Sequence, residues 1–275
     1  MSYPHAGIVR LTTDVFNSPV PQGRSIPAHP PALPAAPAET RQARRAPLTR
    51  RYEIAYLDAS GAIETGTRLA PAIPEFEDAF SAFARGGVIA TTEGPVAVED
   101  LVPGMQALTG EGRAETITWI GSMTLFPPRA MPGMIGGKLT RITADAFGVG
   151  RPMPDLILGP RARLLVRDAR CRFATGIDSA YAPAQSFADG VSIIEVTPVA
   201  PVPVYHIVLE RQGSLRAAGL EIESYHPGTR MADGFDPQVA QLFLSLFPQL
   251  RSFSEFGAMA HPRMSAHDVE KALAG

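Results

Sequence analysis

The chain has one cysteine, Cys171, so no intrachain disulfide and no cysteine-based zinc cluster can form. Its six histidines are scattered, and no two sit at the i, i+4 spacing of a helical metal site. No metal and no cofactor is therefore expected. The N-terminus lacks an apolar run of signal-peptide length, and no uninterrupted run reaches the ~18 residues of a membrane span. The expectation is a soluble, cytoplasmic protein, with no membrane partner; secretion by a signal-less route stays open. A formal net charge of −2 gives no global pull towards nucleic acid. There is one tryptophan, while proline (27) and glycine (25) are frequent, which favours turn-rich β structure over a helical bundle.

Residues 1–50 read as a disordered Pro/Ala/Arg-rich arm with nothing for a core to bury. Arg41, Arg44, Arg45, Arg50 and Arg51 at its end form a solvated basic linker; the sharper reading is a docking strip for an acidic partner or nucleic acid. Residues 51–81 form a leading segment. Tyr52, Ile54 and Tyr56 alternate, "DASG" turns and Ile63 resumes, which predicts a hairpin over 52–70. "IPEFEDAFSAFARG" predicts a short helix begun by Pro74 and ended by Gly86, with Phe76, Phe80 and Phe83 on one face packing a core.

From Val88 to about Pro227 short β-type runs are bounded by Gly, Pro or Asp, with no helical crossover between them. A meandering, mainly β domain follows. Residues 229–275 change character. Asp236 is a helix N-cap with Pro237 behind it; Val239, Leu242, Phe243 and Leu246 share a stripe. "SAHDVEKALAG" predicts a last helix capped by Ser265 and closed by Gly275. This tail is expected to pack on the β domain.

Six segments occur in a fixed order: "AFARGGVIATTEG", "EDLVPGM", "TWIG", "DLILGPRAR", "YHIVLE" and "GLEIESYHPG". Together, over residues 82–228, they resemble the Hint domain, the self-processing module of hedgehog proteins and inteins, in its bacterial Hint-like branch. The resemblance covers about half the chain. It implies the horseshoe-like, all-β Hint fold, and a reaction that begins with an N-to-S or N-to-O acyl shift. That step needs a thiol or hydroxyl at the first residue of the motif and a histidine beside the scissile amide.

The resemblance places Ala82 at the nucleophile position and Ala162 at the histidine position, with Gly159 where the pattern has serine. Gln212 stands at a further, commonly polar position. The only asparagine is Asn17, so no terminal residue is placed to release a splicing domain. The expectation is a Hint domain without self-processing, a scaffold or interaction module for a protein or peptide partner. Its old cleft near Ala82, Ala162 and His206 is a candidate peptide or small-ligand site.

The alternative is an autocatalytic self-cleaving protein with a displaced nucleophile. Ser81 adjoins Ala82, and Cys171 lies between Arg170 and Arg172, whose charge would favour a thiolate. His206 alternates with Tyr205 on a strand and reads either as a cleft residue or as a satisfied core histidine. Thr91 and Thr92 read as strand residues, Asp100 and Asp155 as turn residues. A third possibility is an adaptor acting through the basic arm.

Overall fold

The computed structural model describes residues 48–127, 137–229 and 231–274. Among these, fifteen strands hydrogen-bond into one continuous, mainly β arrangement. The strand Ala114–Leu125 is its spine. Its first residues pair with Gln106–Leu108, and its remainder pairs with Val202–Leu209 on one edge and Thr49–Leu57 on the other. The register slips between Val208 and Leu209, so that Val208 faces Trp119 and Leu209 faces Ile117. One extra residue reverses the in-out alternation. Ile117 and Leu209 therefore enter one core, while Trp119 and Val208 enter another.

The first core is aliphatic: Ile89, Ile117, Leu158, Ile207, Leu215 and Ile222 surround Ala82 and Ala162. The second is aromatic, centred on Trp119. Trp119 packs edge-on against Phe80 (5.3 Å) and tilted by 33° to Phe247 (4.6 Å), and its indole N–H donates to Leu246 O at 2.7 Å. Such pairs add about 0.5–1.5 kcal/mol each beyond their burial. The glycine of "TWIG" follows from this packing. A Cβ on Gly121 would stand 2.6 Å from the Phe80 ring, inside any allowed contact.

The leading hairpin is present as Thr49–Leu57 and Ile63–Pro71. Asp58 sets its turn by accepting from the N–H groups of Ser60 and Ala62 at 2.8 and 2.9 Å. The strand starts before the expected boundary, which corrects the reading of Arg50. Arg50 is buried, donating to Glu77 (2.8 Å) and to the Thr124 carbonyl (2.6 Å). It is a structural cation, because its place on the strand points it at Glu77. Arg51, on the other face, is exposed and pairs with Glu53. Arg41, Arg44 and Arg45 lie outside the described residues.

The expected helix to Gly86 is shorter. Pro74–Glu77 is α-helical, Asp78–Phe80 continues as one 3₁₀ turn, and Phe83–Ala84 is already strand. Pairing with Tyr205 and Leu158 overrides helix propensity there. Phe76 and Phe80 accordingly enter the aromatic core and Phe83 the aliphatic one, not a shared face.

The helix Pro237–Leu244 is capped by Asp236, which accepts from Gln238 and Val239. It docks through Phe243, edge-on to Phe76 at 5.4 Å. Leu242 is exposed and Leu244 half-buried, so the buried stripe is rotated from the expected one. The helix Ala266–Ala274 is capped by Ser265, which exchanges hydrogen bonds with Asp268. Gly275 lies outside the described residues.

Candidate functional site

The peptide link between Ser81 and Ala82 is the candidate reaction centre, and its polar atoms are engaged by main chain from two sides. The Ala82 N–H donates to Tyr205 O at 2.9 Å, and Arg161 N–H donates to the Ser81 carbonyl at 3.0 Å. The Ala82 carbonyl accepts from Gly159 N–H at 2.8 Å. The strand Val202–Leu209 thus holds one side of the link and the turn after Leu156–Leu158 the other. Gly159 approaches so closely that a Cβ there would overlap the Ser81 carbonyl oxygen. A serine at this position is incompatible with the present backbone.

Ser81, Ala82 and Ala162 are all buried. Both alanine methyls belong to the aliphatic core. The Ser81 hydroxyl donates back to the Glu77 carbonyl at 2.7 Å, closing the helical turn. His206 is buried as well; its Nδ1 accepts from Ile207 N–H (3.1 Å), and its ring meets Tyr225 edge-on at 5.2 Å. Burial, then the charges of Arg163 and Arg263, hold its pKa well below the ordinary range, so the ring is neutral. Ala82, Ala162 and His206, the residues of the expected cleft, are all buried.

A polar cluster that the sequence reading did not assemble lies close to this link. Arg161 pairs with Asp78 at 2.9 Å. Glu223, itself buried, receives Arg263 at 2.9 Å and Arg163 at 3.5 Å. Arg263 also donates to the His226 carbonyl at 2.5 Å. Burial pushes the Asp78 carboxyl up against the pull of Arg161. Burial also pushes the Tyr225 hydroxyl up; that hydroxyl has no hydrogen-bond partner among the described residues. "GPRAR" and "EIES" were legible as motifs, but no sequence signal joins them to Arg263 or Asp78.

The other candidates are elsewhere. Cys171 is buried in a third small cluster with Ala180, Ala182, Met264 and Val269. Its thiol is pushed up, chiefly by burial, and the flanking arginines do not reverse this because Arg170 pairs with Asp168 and Arg172 with Asp178. Gln212 is buried, donating to Ser224 O and accepting from Ala260 N–H at 2.6 Å, which ties the tail to the β domain. Thr91 caps its turn through Gly94 O at 2.6 Å, while Thr92 lies exposed in that turn. Asp155 receives Ala144 N–H and Arg141, and Asp100 ends a 3₁₀ turn.

Among the described residues no group of three or more His, Cys, Asp or Glu is placed to hold a metal ion. No helix among them is long and apolar enough to cross a membrane.

The model of the Hint domain matches residues 81–229, just over half the chain. Among solved structures, the chain is similar to a bacterial intein-like domain from Clostridium thermocellum, with 13% identity and a TM-score of 0.38, over 53% of this chain and 99% of that one. It is also similar to the MchDnaB-1 intein, with 12% identity and a TM-score of 0.29, over 52% of this chain and 100% of the other. No curated protein matches it.

Proposed function

Because this chain belongs to the Hint-domain family, we propose that it is a member that does not process itself, and that serves as a scaffold or interaction module for a protein or peptide partner. The observation that carries this is the Ser81–Ala82 link. It is oriented by two main-chain hydrogen bonds, with a third on the Ala82 carbonyl of the next link, yet the side chain at 82 is a methyl buried in the aliphatic core together with that of Ala162. An acyl shift needs a lone pair at residue 82 and a proton donor for the leaving nitrogen. Neither methyl supplies one.

The segment before the link supports the same reading. Tyr52, Phe76 and Phe80 are fully buried in the aromatic core with Trp119. Burying each contributes roughly 1.5–3 kcal/mol. Residues 48–81 thus act as part of the fold rather than as a leaving group. We take 82–228 as the Hint β domain and the residues from 229 as its helical cap. The autocatalytic alternative gains nothing from the surroundings of its nucleophiles. Ser81 is committed to Glu77 O, and Cys171 lies in a different cluster from Ala82.

Intact-mass spectrometry of the purified chain, with and without thiol or hydroxylamine, tests the reading. An uncleaved chain under all conditions is expected. Fragments ending at Phe80 or Ser81 would overturn it. Adaptor action through the basic arm is a separate matter: partner binding that survives deletion of residues 1–47, which leaves Arg50 in its strand, rules the arm out.

A further inference from the structure

Two clefts away from the Ser81–Ala82 link share a wall. The first, about 350 Å³, is lined by Arg151, Arg167 and Arg216 with Thr109, Leu220 and Glu221. The second, about 170 Å³, adds Phe147, Phe187, Leu164 and Val166, and shares Arg151, Arg167, Leu220 and Glu221 with the first. Polar and apolar compartments are therefore contiguous, and together they reach the size at which small-molecule sites begin, roughly 300 Å³ and above.

The charge balance is unusual for this molecule. Three arginines face one carboxylate, Glu221, so the compartment carries a surplus of two positive charges in a chain of net charge −2. Arg167 pairs with Glu221. Arg151 and Arg216 have no carboxylate partner among the described residues, although nearly every other arginine there has one. Arg216 is the outward position of the strand Ser214–Ala217, directly across from Glu221. Arg151 belongs to a loop tied to the same hairpin by a Met153 N–H to Ala218 O hydrogen bond of 3.0 Å. The two unpaired guanidiniums thus come from separate segments and are held at one cleft. In the adjoining compartment Phe147 and Phe187 meet edge-on at 5.9 Å and line the wall together with Arg151 and Arg167.

We propose that these two compartments form one binding site for a small amphipathic organic anion. The oxyanion group, whether carboxylate, sulfonate or phosphate, is taken by Arg151 and Arg216, whose planar forks match such groups bidentately. The apolar, planar body lies against Phe147 and Phe187. The site does not involve Ala82 or Ala162, and it stands or falls independently of whether the 81–82 bond is ever cleaved.

The test uses the full chain and three probes: 1-anilinonaphthalene-8-sulfonate, its uncharged analogue N-phenyl-1-naphthylamine, and inorganic phosphate. Fluorescence titration is expected to show saturable, single-site binding of the sulfonate that weakens with added salt. It should weaken at least tenfold in R151A/R216A. The uncharged analogue should bind more weakly and be indifferent to that double substitution, and phosphate should compete only at far higher concentration. Phe187→Leu should weaken the sulfonate several-fold. Far-UV circular dichroism and the melting temperature check the fold of each variant, with R216Q as the milder substitute where R151A/R216A is unstable. Unchanged sulfonate affinity in the arginine variants, or equal affinity for the uncharged analogue, would overturn the proposal.

Discussion

Gly159 lies against the carbonyl of Ser81 so closely that the smallest side chain would overlap the oxygen. The same oxygen accepts from Arg161 N–H at 3.0 Å, so it has no freedom to retreat. Gly159→Ala should therefore destabilise the fold by about 1–3 kcal/mol, the usual cost of overpacking a well-filled interior. Urea denaturation reads it, and an unchanged midpoint would contradict the geometry.

If residues 82 and 162 are the lost chemical positions, restoring both should matter more than restoring either. A82C/A162H is expected to release a fragment ending at Ser81 when treated with hydroxylamine, while A82C and A162H alone stay intact. The Arg161 N–H already stands where it can stabilise charge developing on the Ser81 oxygen. Intact mass checks it; an inert double variant would sink the assignment of these positions.

Adjacent arginines should behave differently. Arg50 is buried on Glu77 and the Thr124 carbonyl, and losing it strands a carboxylate and a carbonyl. Arg50→Ala should cost about 3–5 kcal/mol, as for breaking a buried pair. Arg51→Ala, which removes an exposed pair with Glu53, should cost about 1 kcal/mol or less. Comparing the two melting curves decides it.

The tail is part of the core. Phe247 is fully buried between Trp119 (4.6 Å) and Tyr225 (5.5 Å). Phe247→Ala should cost about 3–5 kcal/mol. It should also redshift and quench the single tryptophan as water reaches the indole, a readout free of other emitters of its kind.

Acid should weaken the fold as its buried histidines meet protons. His206 is held low by burial and then by Arg163 and Arg263; His226 is held low by burial, against its bond to Gly257 O. A depressed folded pKa means that the unfolded chain takes the proton first. The contribution is complete above about 6.5, the unfolded value, and is lost as pH falls through it towards the folded values. Asp78 has the opposite sign: its raised pKa means the folded chain takes the proton first, so its burial penalty is relieved as pH falls from that raised value towards the unfolded 3.8. The melting temperature should drop between pH 7.5 and 5.5, and H206Q/H226Q should flatten that slope. A wild-type melting temperature that is flat across this interval would contradict the burial of both rings.

Local sequence determined a good deal here. The alternation of Tyr52, Ile54 and Tyr56, the Asp58 turn, the caps at Asp236 and Ser265, and the ordered motifs of a Hint fold were all legible, because each depends on residues a few positions apart. The same holds for the alanines at 82 and 162, which are a matter of inventory. The tertiary structure decided the rest. It made Arg50 a core cation through Glu77, 27 residues away. It cut the helix at Phe80 by pairing Phe83 with Tyr205, turned Leu242 of the tail helix outward, and set Arg151 and Arg216 on one cleft. Periodicity reports which side of an element is apolar. Which charge meets which, and where a helix must yield to a strand, depend on how distant segments cross, and one chain read in order does not contain that.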